Sequence, residues 1–200
     1  MLLSLVGICV VAGAILASVN QFTAGPIAVA KATALEEAIK AVAPEFDNKP
    51  TEEAYMAVTS EGDSLKIYPA KKGAEVVGGA VESNTKKGFG GEIRVIVGFD
   101  IKGTILNYSV LQHAETPGLG AKMQEWFRMD KNKQSILGRT ISEGGLNVTK
   151  DGGDVDAITA ATISSRAFLH AVNRAYSAFA GVDGLTSATA NNSNKEGGQE

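Results

Sequence analysis

Residues 156–180 read DAITAATISSRAFLHAVNRAYSAFA. From Ala167 to Ala180 the apolar residues recur at helical spacing, and the pattern predicts a helix over about 162–180. Its broad apolar face is predicted to bury Ile163, Phe168, Leu169, Val172, Tyr176 and Phe179. Thr162 then stands in the first turn, where free backbone N–H groups and the positive end of the helix dipole favour a phosphate. Residue types alone favour a simpler interpretation, an N-cap, since Ser and Thr are ordinary choices there.

The clearest β pattern lies between residues 76 and 113. Three segments alternate apolar and polar residues and are rich in β-branched and aromatic side chains: Val76–Glu82, Ile93–Phe99 and Thr104–Leu111. The loop 100–103 ends in glycine and is short enough to make the last two antiparallel neighbours. Residues 88–91 are predicted to form a glycine-rich structural turn between the first two. Shorter strands are predicted at 55–58 and 65–68, around a turn at 61–63.

A helix is predicted over 32–42, stopped by Ala43-Pro44. Farther along, Pro117 and Gly118 occupy the central places of Thr116–Leu119, which is the arrangement of a type II turn with positive φ at the glycine. A short helix is expected over 120–129. The chain from 131 to 154 is rich in turns, with a short helix expected at 136–139 and a strand at 146–148. These elements predict an α+β fold, an antiparallel sheet flanked by helices.

Charge is distributed unevenly along the 200 residues. The net charge is −3, without the basic excess that nucleic-acid binding requires, and residues 1–30 contain no charged side chain. Leu2–Val19 forms an apolar stretch whose helix reaches about 27 Å, enough for a membrane span. A cleaved signal peptide is the alternative, but the apolar run is longer than usual and no basic segment precedes it. The sequence predicts an anchor and exit segment (1–30), a domain (31–184) and a disordered polar tail (185–200).

Cysteine and histidine content limits the chemistry. The only cysteine, Cys9, lies in the uncharged stretch, so the domain can form no disulfide and offers no thiolate for a metal or an iron–sulfur cluster. His113 and His170 are 57 positions apart, which makes a poor catalytic metal site. A hydrolase using Thr162, Ser164 or Ser165 would need a base and a glycine-flanked nucleophile, and those glycines are missing.

Two motifs resemble those of the FMN-binding domain family. The first is Asp156-x-x-Thr159-Ala160-Ala161-Thr162-x-Ser164, which is similar to that family's flavinylation motif, with alanine at position 160 where glycine is frequent. The second is Glu115-Thr-Pro-Gly-Leu-Gly120, similar to a loop that lies against the flavin in that family. The two motifs occur here in the family's order. The resemblance implies FMN attached through a phosphoester bond to Thr162.

The resemblance also implies a set of cofactor-binding residues. They are Thr162, which carries the covalent FMN, together with Glu115, Thr116, Gly118, Leu119, Thr159, Ala161 and Ser164. Lys150 is a further candidate, as a cation for the FMN phosphate, because it precedes the first motif closely. The flavin is expected between the loop 115–120 and the start of the last helix. Attachment implies a separate flavin transferase that recognises Asp156, Thr159 and Thr162.

Within the family, the length, the single anchor and the form of residues 113–120 look most like the G subunit of the Rnf complex. That resemblance implies a redox protein, not catalytic by itself, within a membrane assembly that couples electron transfer between ferredoxin and NAD to Na⁺ or H⁺ transport. Its partners would be other membrane subunits and the lipid bilayer, with the domain on the extracytoplasmic, periplasmic side of the inner membrane. The C subunit of the Na⁺-translocating NADH:quinone reductase is the alternative. A membrane-anchored binding domain without redox function is an alternative of another class.

Overall fold

A computed structural model describes residues 2–141 and 144–181, and the predicted polar tail lies outside that part. The chain divides into two units, 1–37 and 38–200. The first unit is helical, as part of α1 (Leu2–Val42). Ser4–Val42 is long and apolar enough to cross a membrane by length and composition. The expected exit segment, 20–30, is helical as well, because Pro26 removes only one hydrogen bond from a helix continued on both sides.

The second unit is built on a five-stranded antiparallel sheet, as predicted. Its strands follow one another in sequence order: β1 (Tyr55–Val58), β2 (Ser64–Lys72), β3 (Glu75–Thr85), β4 (Ile93–Asp100) and β5 (Ile105–Gln112). In the centre of the sheet, Val81 of β3 pairs with Val97 of β4. The five strands predicted between residues 55 and 111 were correct in position, and β2 and β3 each extend several residues farther.

The helix α3 (Thr162–Ala180) covers one face of the sheet, with the predicted boundaries. Aromatic rings fill the space between them: Phe99 stacks on Phe179 at 5.1 Å between centroids, and Phe127 on Phe168 at 4.6 Å. The predicted face of α3 is buried except at two positions. Tyr176 is half-buried and Ile163 is 50% exposed, because Ile163 lies in the first turn, beside a cleft described below.

The last residues of α1 also belong to the second unit. Ala38, Ile39 and Val42 are buried, and the side-chain amide of Asn107 on β5 donates a hydrogen bond to the carbonyl oxygen of Ala41 at 2.9 Å. The helix ends at Val42, before Ala43-Pro44, as predicted. Residues 38–42 are therefore a structural part of the domain.

Three local predictions were wrong. The helix expected over 120–129 is a 3₁₀ turn at Gly120–Lys122 followed by α2 (Met123–Trp126), after which only i to i+3 bonds continue. Residues 136–139 form a turn, because the backbone of Gly138 and Arg139 bonds to Ile105 at the start of β5. The strand expected at 146–148 is reduced to one bridge, between Val148 and Val155.

The sheet has two distinct ends. At one, here named the hairpin end, short turns at 73–74 and 101–104 join β2 to β3 and β4 to β5. The opposite end, named the cleft end, carries the turn 59–63, the glycine-rich loop 86–92 and the elbow, residues 113–120. Because antiparallel strands alternate in direction, these three segments leave the sheet at the same end.

Candidate functional site

A cleft of about 340 Å³ lies at the cleft end of the sheet. It is lined by Phe89, Glu115, Thr116, Leu119, Gly120, Ala160, Ala161, Thr162, Ile163 and Ser164. The two sequence motifs, about 40 residues apart, therefore form the walls of one cleft. Six of the nine predicted site residues line it, and Gly118, Lys150 and Thr159 lie outside its lining.

Glu115 connects the walls of the cleft. It is 4% exposed, and its Oε1 accepts a hydrogen bond from the backbone N–H of Gly90 at 2.9 Å. Its Oε2 accepts one from the Ser164 hydroxyl at 2.5 Å. A β-carbon on Gly120 would lie 2.7 Å from Oε2 and 2.5 Å from the Ser164 oxygen, so only glycine fits there. Glu115 thereby fastens the glycine-rich loop, the elbow and α3 to one another.

Thr162 is the first residue of α3, and it does not cap the helix. Ala161 occupies the N-cap position, where there is no side-chain hydrogen bond, so the N-cap interpretation of Thr162 is wrong. The first N–H groups of α3 have no intrahelical acceptor. Thr162 is half-buried, and its hydroxyl accepts a hydrogen bond from Lys150 Nζ at 3.2 Å. A hydroxyl, a cation and open N–H donors thus meet at Thr162, on the edge of the cleft.

The residues before Thr162 are held by hydrogen bonds between their backbone and the Ser165 side chain. The Ser165 hydroxyl accepts from the N–H of Ile158 and donates to the carbonyl of Ala161, both at 2.9 Å. Sequence reasoning missed this role of Ser165, because the sequence alone does not distinguish a buried serine on a helix from an exposed one. Thr159 and Ala160 are exposed, and Ala160 has φ of 61°. The chain therefore turns sharply into α3 and leaves Thr159 accessible from outside.

Asp156, the first motif residue, lies farther from the cleft. Its backbone N–H donates to the carbonyl of Lys133 at 2.9 Å, and its Oδ2 accepts from the N–H of Lys133 at 3.2 Å. Its own carbonyl accepts from Trp126 Nε1 at 2.8 Å. Asp156 therefore anchors the motif to the segment after α2.

The elbow has the predicted turn. Gly118 has φ of 74°, and the N–H of Leu119 donates to the carbonyl of Thr116 at 3.2 Å. This geometry turns the elbow into the 3₁₀ segment and presents Leu119, 40% exposed, at the cleft. Phe89, 69% exposed, lies in the same lining. The cleft thus offers apolar side chains beside a polar corner, as sites for small aromatic ligands usually do.

A groove of about 430 Å³ adjoins the cleft, with Ile163 in both linings. Lys87, Asp151, Arg166 and His170 are among its lining residues. Arg166 Nε donates to Asp151 Oδ2 at 2.7 Å, and this hydrogen bond lowers the pKa of the Asp151 carboxyl below its ordinary value.

The histidines lie apart from the Thr162 hydroxyl. His170 contacts Thr85, Lys87 and Glu61 at 3.1, 2.6 and 3.1 Å, and His113 Nδ1 accepts from the N–H of Glu115. Within residues 2–141 and 144–181, neither ring bonds to Thr162, Ser164 or Ser165. The same part of the chain holds no group of three His, Cys, Asp or Glu residues suited to a metal. The described residues therefore place no histidine base at these three hydroxyls.

Comparison with known proteins supplies an independent line of evidence. The FMN-binding domain family matches residues 88–177. The chain is 34% identical to the G subunit of the ion-translocating oxidoreductase complex of Cereibacter sphaeroides over 174 residues, 84% of this chain and 78% of that protein. It is 33% identical to the protein of the same name from Escherichia coli K12 over 166 residues, 80% of each chain. For the protein of the same name from Salmonella typhi, identity is 42% over 115 residues, 55% of this chain and 54% of that protein.

Proposed function

This chain belongs to the family formed by the G subunits of ion-translocating oxidoreductase complexes, and we propose that it carries electrons through FMN esterified to Thr162. The observation that supports the attachment is the corner of the cleft where the Thr162 hydroxyl, Lys150 Nζ and the uncapped start of α3 meet. A phosphate diester retains a negative charge, which a lysine and open N–H donors stabilise. The FMN-binding domain match covers both motifs.

The residues of the cleft fit this cofactor. Ala160 and Ala161 are small and leave the approach to the Thr162 hydroxyl open, while Leu119 and Phe89 offer apolar surface to a flat ring. Bound FMN supplies the capacity to accept and release electrons. Thr162 would hold the cofactor through the ester, and Lys150 would hold it through its charge. Glu115 would keep the two walls of the cleft in place. A covalent link retains the cofactor without high equilibrium affinity.

The proposal extends to partners and location. The homologues are named as subunits of an ion-translocating oxidoreductase complex, and we infer that this chain assembles with other membrane subunits of a ferredoxin:NAD complex of the Rnf type. The apolar helix α1 would anchor it in the inner membrane as a single span, with the domain on the periplasmic side. A flavin transferase would attach FMN by recognising the accessible Thr159 and Thr162, with Asp156 holding the motif in shape.

The test is substitution of the attachment oxygen. Thr162→Val keeps the side-chain shape and removes the hydroxyl, so covalent flavin should be lost completely after coexpression with a flavin transferase. Thr159→Ala is the matched control, since it should lower the yield without moving the site. In-gel flavin fluorescence gives the yield and peptide mass mapping gives the site. Undiminished fluorescence in Thr162→Val would exclude this attachment, and absence of denaturation-resistant flavin from the unaltered protein would favour a binding domain without redox function.

A further inference from the structure

Lysines at the two ends of the sheet differ in their partners. Near the hairpin end, Lys71 and Lys72 lie 2.5 and 3.4 Å from the carboxylates of Glu53 and Glu45, while Lys102 is exposed and has no ion pair in the part of the chain that the structure describes. At the cleft end, Lys86, Lys87 and Lys150 are exposed, and none of them pairs with a carboxylate within the described ranges 2–141 and 144–181. Lys150 binds the Thr162 hydroxyl and Lys87 the His170 ring. Within these ranges the three cleft-end lysines thus lack direct ion pairs, although the Glu61 and Asp151 carboxylates are near enough for Lys87 and Lys150 to help lower their pKa values.

These cations border the cleft. Lys86 and Lys87 directly precede the glycine-rich turn that carries Phe89, and Lys87 and Arg166 line the groove that shares Ile163 with the cleft. Lys86, Lys87, Lys150 and Arg166 together are named the basic rim. Acidic groups near the rim are engaged within the protein. Asp151 pairs with Arg166, Glu61 bonds to His170, Glu61 and Asp63 pair with Arg174, and the Glu115 carboxylate is buried. Glu92, in the same loop as Lys86 and Lys87, accepts a hydrogen bond from Asn84.

The rim surrounds exposed apolar surface. Phe89, Leu119 and Ile163 are all at least 40% exposed, and they line the cleft where FMN is proposed to lie. An apolar centre with a charged border is the arrangement of a protein-docking surface. Lys150 is assigned to the phosphate diester and Arg166 is paired with Asp151, which leaves Lys86 and Lys87 available.

We propose that the basic rim docks an acidic redox protein, whose carboxylates meet Lys86 and Lys87 and whose cofactor faces the cleft. This inference rests on the proposed function, because electrons can leave FMN only where a partner approaches it closely. Opposite charges would orient that approach and raise its rate. Anionic lipid headgroups are the weaker alternative, because a membrane lying over the cleft would cover the site that the partner must reach.

The experiment uses the complex purified from its own membranes. Lys86→Glu/Lys87→Glu reverses two rim charges, and Lys72→Glu/Lys102→Glu makes the same change in net charge at exposed positions of the hairpin end. Flavin reduction in this protein is followed by stopped-flow absorbance after reductant is added, at several salt concentrations. We expect the rim variant to be slower by about tenfold or more at low salt and to lose its salt dependence. The control should stay within about twofold of the unaltered complex, as expected for charges remote from the contact.

Two further measurements distinguish failure of the proposed function from failure of the docking proposal. Covalent flavin is quantified in every preparation: flavin missing from the unaltered protein defeats the proposed function, whereas equal flavin and equal rates in the rim variant defeat only the docking proposal. The complex is also reconstituted in phosphatidylcholine nanodiscs with or without phosphatidylglycerol. If the difference between the rim variant and the unaltered complex disappears without phosphatidylglycerol, the rim contacts lipid and the docking proposal is overturned.

Discussion

The Asp100 turn at the hairpin end and the Glu115 junction at the cleft end are built by different kinds of contact. At the hairpin end, Asp100 accepts hydrogen bonds from the N–H groups of Lys102 and Thr104, two and four residues away. At the cleft end, Glu115 bonds to Ser164, 49 residues away, and Arg174 to Asp63, 111 residues away. Local contacts give a turn that forms with its own strands, whereas distant contacts give a cleft that exists only when the whole domain has folded.

The largest difference in stability between the two ends is expected when Glu115 at the cleft end and Asp100 at the hairpin end are each replaced by alanine. Glu115→Ala leaves the Gly90 N–H and the Ser164 hydroxyl without their acceptor inside the protein, and should lower the free energy of unfolding by about 2–4 kcal/mol. It should also reduce flavin incorporation, because the two walls lose their connection. The measurement is urea unfolding of the full chain in detergent, with flavin yield in parallel.

Asp100→Ala is the matched control for that substitution. It also removes an oxygen that accepts two backbone hydrogen bonds, but in a partly exposed turn where water can reach the N–H of Lys102, so the cost should be smaller, about 1 kcal/mol. Flavin incorporation should be unchanged. Equal losses of stability in the two variants would contradict the distinction between local and distant contacts.

Replacing one glycine at each end with alanine should affect stability more at the hairpin end and flavin incorporation more at the cleft end. Gly103, at the hairpin end, has φ of 79°, and an added β-carbon would lie 2.9 Å from the Tyr176 ring. Gly103→Ala should cost about 1–2 kcal/mol, from backbone strain and the contact, and leave flavin incorporation intact. Gly118→Ala has similar φ, 74°, with open space around the new carbon, so its cost should be smaller while its effect on incorporation is larger. The opposite ranking of flavin yield would show that the elbow does not position the cofactor.

The same distinction explains how much the sequence could predict. β1, β4 and α3 were predicted almost to the residue, because alternation and helical periodicity are local properties. The two motifs were placed in one site through resemblance, and the structure brings them together at the cleft. The connection between Glu115 and Ser164 was not predicted, since nothing in either segment marks the other as its partner. The turn at 136–139 was mistaken for a helix for the same reason: its bonds are to Ile105, far away in sequence.

A smaller effect is expected at the entry to α3. Ala160 has φ of 61°, a conformation that costs an L-residue with a side chain about 1–2 kcal/mol. Ala160→Gly removes that strain. It also raises the conformational entropy of the unfolded chain, which offsets about 0.4–1 kcal/mol of the gain in stability. The variant should therefore be more stable by roughly 0.5–1 kcal/mol, with flavin incorporation unchanged. Thermal unfolding of both proteins gives the difference, and a loss of stability would mean that the backbone at 160 is not strained.

The smallest effect concerns pH, and it compares one carboxylate from each end. The pKa of Glu61, in the turn 59–63, is lowered by its hydrogen bond to His170, and that of Glu53 by its hydrogen bond from Lys71. A carboxyl whose pKa is lowered by folding adds stability above its unfolded pKa of about 4.3, and that stability is lost as pH falls through the folded pKa.

Both contributions should therefore be present above about pH 5 and decline as the pH falls through each lowered, folded pKa. Solvent screens the two exposed pairs, so both contributions are expected to be small. Glu61 should contribute more, since its second partner, Arg174, has a side chain only 10% exposed, against 35% for Lys71. Urea unfolding of Glu61→Gln and Glu53→Gln between pH 3 and pH 7 measures both. If Glu53→Gln loses more stability than Glu61→Gln at pH 6, then the ion pair with Arg174 does not strengthen the cleft end. The stabilising effect of distant contacts there would then come from Glu115.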